Sequence, residues 1–162
     1  MSYPEPRYLG DGGLVNATYR PAGAEPDLRY ASGGAAHYLA TGALTDGKFG
    51  LYRWEMSAAP GGPGPHFHRT MSESFYVLSG RVRLYDGARW IDGRPGDYVY
   101  VPEGGVHAFR NESGEPASML ILFAPGAPRE AYFEGTAALG RGLVMTDEER
   151  AAFLAAHDNI LL

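Results

Sequence analysis

Apolar positions in this chain recur every second residue over short runs, and each run breaks at glycine, proline or an Asp-Gly pair. In residues 49–56, Tyr52, Trp54 and Met56 alternate with Arg53 and Glu55. That is the period of a strand with one face buried. Similar strand-like runs occupy residues 36–44, 75–78, 81–85, 90–91, 97–101, 106–110 and 117–123. Thr45-Asp46-Gly47-Lys48 predicts a hairpin turn between the first two strands, and Ser79-Gly80, Asp86-Gly87 and Asp92-Gly93 punctuate the later ones. Turn chemistry at this spacing predicts an all-β sandwich or barrel.

The ends of the chain read differently. Residues 1–33 are rich in Pro, Gly, Ala and charge and predict an N-terminal arm with at most one short strand. A barrel is expected over 34–126 and a C-terminal extension over 127–162. In that extension Thr146 and Glu149 form a capping box, which predicts a short helix through residues 151–156 carrying Phe153 and Leu154.

Composition narrows the class. A chain of 162 residues suits one domain with one core. Its 23 glycines and 12 prolines are dispersed among apolar runs, which favours tight turns over disorder. The net charge of −5 and the scattered arginines give no electrostatic case for nucleic-acid binding. No apolar stretch is long enough to span a bilayer. The opening residues show no charged segment followed by an apolar one, so a cytoplasmic protein is expected. With no cysteine, disulfides, thiolate ligands and a thiol nucleophile are excluded.

Chemistry concentrates at four positions. The loop 59–65, Ala-Pro-Gly-Gly-Pro-Gly-Pro, can be neither helix nor central strand, and it delivers the chain into His66. His66 and His68 share a strand face, their Cβ atoms about 7 Å apart, so both imidazoles can converge on one ion. Glu73 follows a bend at Thr70-Met71-Ser72 and shares its face with Phe75 and Val77. A carboxylate projecting among apolar side chains is costly unless paired, protonated or metal-bound. His107, behind Pro102-Glu103-Gly104-Gly105, is expected from a neighbouring strand. Three imidazoles and one carboxylate form a sufficient shell for a divalent transition metal, with Fe, Mn, Co, Ni, Cu and Zn all compatible. His37 and His157 stand alone and are read as structural.

At these residues the sequence resembles the cupin superfamily. The first cupin motif, G(X)5HXH(X)3,4E(X)6G, is matched by His66, His68, Glu73 and Gly80, with Pro60 in place of the leading glycine and Gly61 after it. The second, G(X)5PXG(X)2H(X)3N, is matched in full by Gly96, Pro102, Gly104, His107 and Asn111. The stretch from Tyr38 to Gly126 is similar to monocupins related to quercetin 2,3-dioxygenase. The resemblance implies a jelly-roll barrel holding one metal at His66, His68, Glu73 and His107, with Asn111 a turn or supporting residue. It also implies a homodimer, made by N-terminal strands added to a partner's sheet.

Four protein ligands leave one or two coordination positions open, as a reactive metal requires. The expected substrate-pocket wall is apolar and aromatic: Tyr52, Trp54, Phe75, Val77, Tyr98, Phe109 and Leu120. Tyr52 or Trp54, Tyr98 or Tyr100, and Leu120 or Leu122 stay open as alternatives, because residues two apart share a strand face and parity does not separate them. Such a wall suits a flat, hydroxylated small molecule. The leading expectation is a metal-dependent dioxygenase acting on a flavonol-like or other enolic aromatic compound, with Glu73 as both ligand and catalytic base. The alternatives are a non-redox metal enzyme (a cyclase or isomerase) and a small-molecule-binding protein without turnover.

Overall fold

The computed structural model describes residues 2–162. Strands β1 (Leu28–Arg29), β2 (Ala35–Ala40) and β3 (Gly50–Met56) open the fold, followed by β4 (His66–Phe67) and β5 (Ser72–Ser79). Then come β6 (Val82–Tyr85), β7 (Trp90–Gly93), β8 (Tyr98–Val101), β9 (Ala108–Arg110) and β10 (Ala117–Ala124). Helices α1 (Glu130–Gly140) and α2 (Asp147–Ala156) and a last strand, β11 (Ile160–Leu161), complete the chain.

Two antiparallel sheets form an all-β jelly roll. The larger runs β1-β2-β3-β10-β5-β8, the smaller β7-β6-β9, and β4 pairs with β11 at one end. Alternation places the core. On β10, Ala117, Met119, Ile121 and Phe123 are buried, while their neighbours are only half-buried. On β5, Phe75 and Val77 point inward and Tyr76 and Leu78 outward. Val82, Leu84 and Phe109 supply the facing layer, with the Phe75 and Phe109 rings 5.7 Å apart. Gly80 turns the chain from one sheet to the other at φ 71°, and a Cβ there would lie 2.5 Å from the Pro116 carbonyl oxygen. Only glycine meets both demands.

Three local expectations need correction. The first strand ends at Ala40, not residue 44. Pairing with β3 shifts register between Tyr38 and Ala40. Gly42 then lies against Gly126, whose carbonyl oxygen would be 2.2 Å from an added Cβ. The connection from 41 to 49 is therefore used to clasp the start of the C-terminal segment, with Gly126 N–H donating to the Gly47 carbonyl at 2.8 Å. Second, the C-terminal extension holds two helices and a strand, not one short helix. The capping box at Thr146 and Glu149 is present and starts α2. Third, β9 begins at Ala108; His107 precedes it, in an isolated bridge to His66.

Helix α1 exists because of what it covers. Its Gly135, Thr136 and Gly140 are weak helix formers. Phe133 and Ala137 are buried, and the Phe133 ring sits 5.0 Å from Trp54 and 5.1 Å from Tyr52. Tyr52 donates its hydroxyl to Glu130 at 2.5 Å, fixing the first turn. The helix thus roofs one mouth of the barrel. No helix among the described residues is long and apolar enough to cross a membrane.

Candidate metal centre and its cavity

Backbone pairing brings the imidazoles together. His66 and His107 exchange both N–H···O bonds, at 3.0 and 2.9 Å, so their Cα atoms face each other across the bridge. Their rings are 4.3 Å apart. His68 lies just past β4, its ring 5.0 Å from His66 and 5.2 Å from His107. Glu73 enters from β5. One nitrogen or oxygen from each of the four lies within 4.8 Å of the others, and all four residues are buried.

Each imidazole is oriented by its far nitrogen. Nδ1 of His66 faces the Gly64 carbonyl at 2.8 Å, Nδ1 of His107 the Gly105 carbonyl at 2.9 Å, and Nδ1 of His68 the Asp158 carbonyl at 2.5 Å. A carbonyl only accepts, so all three Nδ1 atoms carry the proton and all three Nε2 atoms are left as ligand atoms. Nε2 of His68 and of His107 lie 3.0 and 2.8 Å from Glu73 Oε2. In the neutral tautomer those are lone pairs facing lone pairs, which a shared cation relieves. Two ligand atoms at right angles, each ~2.1 Å from an ion, are about 3.0 Å apart. The donor set and its spacing suit a divalent metal; they do not select among metals.

Electrostatics show the same stress. Burial, helped by His107, lowers the His66 pKa to about 4. Burial alone would raise the Glu73 pKa, but its contacts with the His107 and His68 rings outweigh burial and lower it. Burial likewise opposes protonation of His107, and the Glu73 carboxylate reverses that, raising its pKa. A proton between His107 and Glu73 stands where a metal would.

The centre opens into a cavity of about 340 Å³ bordered by His66 and Glu73, at the lower end of the range for drug-sized ligands. Of the expected wall residues, Trp54 and Phe109 border it. Tyr52, Phe75 and Val77 are buried in the core and do not reach the cavity. Tyr98 and Leu120 are corrections. Tyr98 is 59% exposed, its hydroxyl 3.0 Å from Ser74 Oγ, and Leu120 lies on the half-buried outer face of β10. On β10 the inward face belongs to Ile121 and Phe123.

The sequence reading missed the roof: Arg129, Tyr132 and Phe133 from the start of α1, with Tyr30 at the rim. The available clue was Pro128 before Glu130, followed by apolar residues at 133 and 137. It missed Asp158 as well. Burial would raise the pKa of that carboxylate, but hydrogen bonds from Thr70 and the Arg69 amide lower it. Those bonds, at 2.7 to 3.1 Å, fix the bend between His68 and Glu73. Asn111 is buried and donates to the Ser57 and Glu115 carbonyls, so it ties loops and does not face the centre. His37 is packed against Arg53 and Glu55, and His157 ends α2.

Comparison with known proteins agrees with this geometry. The family model for the Cupin domain matches residues 54–123. Quercetin 2,3-dioxygenase of Bacillus subtilis is 30% identical over 123 residues, covering 70% of this chain and 35% of that protein. Germin-like protein 5-1 of Oryza sativa is 35% identical over 81 residues, covering 45% of this chain and 35% of that one. The chain thus spans about a third of the length of these two curated relatives. Among solved structures, KdgF from Halomonas sp. superposes with TM-score 0.58 at 15% identity, over 68% of this chain and 94% of that one. A predicted oxalate decarboxylase from Thermotoga maritima gives TM-score 0.58 at 18% identity, over 67% and 99%. At such identities the two structures speak for the fold alone.

Proposed function

The chain belongs to the cupin superfamily, and from that premise we propose that it is a metal-dependent dioxygenase acting on an enolic or phenolic aromatic small molecule. The observation that carries the reading is the trio of Nδ1–H anchors, which turn three Nε2 atoms and Glu73 onto one point at the floor of an aromatic cavity. The relative in Bacillus subtilis supports the choice of reaction. A divalent metal at that point would act as a Lewis acid toward a substrate oxygen and, if redox-active, would supply the electron chemistry.

The protein's own part is positioning and proton transfer. Trp54, Phe109, Phe123 and Phe133 form a wall against which a flat ring packs while water is displaced. Two carboxylates border the cavity: Glu55, 3.1 Å from both Arg53 and His37, and Glu73, 3.0 and 2.8 Å from the His68 and His107 rings. Of the two, Glu73 is the one beside the three imidazoles, and we assign it to take the substrate's hydroxyl proton. Homodimerisation is part of the proposal. β1 leaves an open strand edge in the N-terminal arm, and such edges invite pairing. Sedimentation at a dimer mass would support it.

The test is oxygen consumption with a panel of flavonols and catechols after loading with Fe, Mn, Co, Ni, Cu or Zn. Uptake by at least one metal form, lost in Glu73→Gln, supports the reading. Turnover of zinc protein without oxygen would replace it with a non-redox enzyme. Ligand binding without turnover in any form would leave a binding protein.

A further inference from the structure

We propose that this cavity is built for an anionic ligand, an aromatic or enolic acid, and that the Arg129 guanidinium receives its carboxylate. The inference rests on the reading that the cavity is the substrate site, and it names the substrate class.

Arg129 is 3% exposed and borders the cavity together with His66 and Glu73. It is held in place without being neutralised. One terminal nitrogen donates to the His157 carbonyl at 2.6 Å and the other to Asn159 Oδ1 at 3.0 Å, both uncharged acceptors. Its guanidinium carbon lies 5.0 Å from the Phe123 ring, 4.4 Å from Tyr132 and 5.7 Å from Phe133. Among the described residues no carboxylate lies within ion-pair distance of it. Its Nε–H is buried with no partner.

A buried cation with aromatic packing, neutral clamps and a free donor is expensive to maintain unless something negative completes it. The cavity cannot supply that charge internally. Glu55 is committed to Arg53 and His37, and Glu73 to the histidine cluster. A second arginine, Arg150, adds another positive group at the cavity's border. A divalent ion on the four ligands would deepen the positive excess. A ligand carboxylate meets the geometry as well as the charge, since guanidinium offers paired N–H donors to a planar acceptor.

The test uses benzoate and its uncharged analogue benzamide on the zinc-loaded protein. Binding is read by quenching of Trp54, which borders the cavity, and by calorimetry. The native protein should bind benzoate at least about tenfold more tightly than benzamide, as a charge-assisted pair does over a neutral one. Arg129→Gln should bring that ratio to about one. Because Arg129 also clamps the C-terminal segment, Arg129→Gln risks unfolding, and Asn159→Asp is the second variant. It keeps an oxygen beside the guanidinium but supplies the missing negative charge, so it should abolish the benzoate preference while the melting temperature holds. Equal binding of the two probes by native protein would overturn the inference, as would a preference that survives Asn159→Asp. Oxygen uptake with neutral flavonols and no acid preference would refute it while leaving the dioxygenase reading intact. Acid preference without oxygen uptake would refute that reading and leave the inference standing.

Discussion

The segment from residue 59 to 111 and the segment from 127 to 162 build the same site by different means. The first supplies every candidate metal ligand, and it does so locally: a Gly-Pro loop, a two-residue strand, a bend and a bridge place His66, His68, Glu73 and His107. The second supplies no ligand, yet it supplies the roof, the cation and the carbonyl that orients His68. The ligand set is written into short-range spacing, whereas the cavity's roof is assembled from contacts between residues up to 106 positions apart.

The sharpest way to break this division is to remove a ligand. His107→Ala takes away one Nε2 and the partner that keeps Glu73 ionised. Metal affinity should fall by more than about 100-fold, beyond what loss of a merely supporting group costs. Metal content after dialysis, measured by elemental analysis, decides it. Retention of a full equivalent would mean that the centre lies elsewhere.

Next in size is the roof. Phe133 is 4% exposed and touches Tyr38, Tyr52, Trp54 and Phe123. If the C-terminal segment is core, Phe133→Ala should cost about 3–5 kcal/mol in denaturant unfolding, the range for a truncated buried aromatic. A loss under about 1 kcal/mol would make it an appendage that the barrel does not need.

Acid probes both segments, the first most strongly through His66 and the second through His157, whose pKa burial also lowers. His66 has its pKa lowered from 6.5 to about 4 in the folded protein, chiefly by burial. Between those values the unfolded chain binds the proton and the folded one does not. Stability from this group is therefore fully present above pH 6.5 and is lost as pH falls toward 4, by up to about 3 kcal/mol. Metal-free His66→Gln should lose this part of the pH dependence; a variant whose stability falls between pH 7 and pH 4.5 as steeply as the native protein's would contradict the burial of His66. Metal should also be released over this window, because ligation needs the neutral imidazole.

A smaller effect tests how the second segment serves the first. Asp158 binds the backbone of Arg69 and Thr70 through its carboxylate. Its own carbonyl accepts from His68. Asp158→Ala keeps that carbonyl but loosens the bend it braces. Metal affinity should drop by roughly 10-fold, the lower end for an outer-shell partner, while the barrel's circular dichroism is unchanged. No change in affinity in a competition titration would reduce Asp158 to a loop staple.

The same division explains what could be read in the sequence. Strand alternation and Asp-Gly turns are local, so β3, β6 and β10 fall within two residues of their expected places. The four converging side chains were visible because motif spacing is also local. Helix α1 was not. Its sequence, with Gly135 and Gly140 inside eleven residues, opposes helix, and the compensating contacts come from distant strands. Gly135 is there for space: a Cβ would come within 2.5 Å of the Phe153 ring on α2. Arg129 was illegible for the same reason, since a lone arginine looks exposed until Phe123, Tyr132 and Asn159 close around it.

The smallest predicted effect addresses the limit of alternation itself. Period two says that Tyr98 and Tyr100 share a face but not which face looks inward, and the structure turns both outward, 59% and 57% exposed. The reason lies in the partner strand. Tyr98 pairs with Tyr76 and Tyr100 with Ser74, whereas Val99 and Val101 pair with the inward Phe75 and Glu73. Tyr98→Phe removes one hydroxyl, which meets the Oγ of the buried Ser74 on the outer side of the sheet. Stability should fall by about 1 kcal/mol or less, the range for one hydrogen bond, and the Michaelis constant and turnover should not change. A Michaelis constant raised several-fold would restore Tyr98 to the substrate wall and reverse the assignment of faces on β8, leaving the placement of His66, His68, Glu73 and His107 untouched.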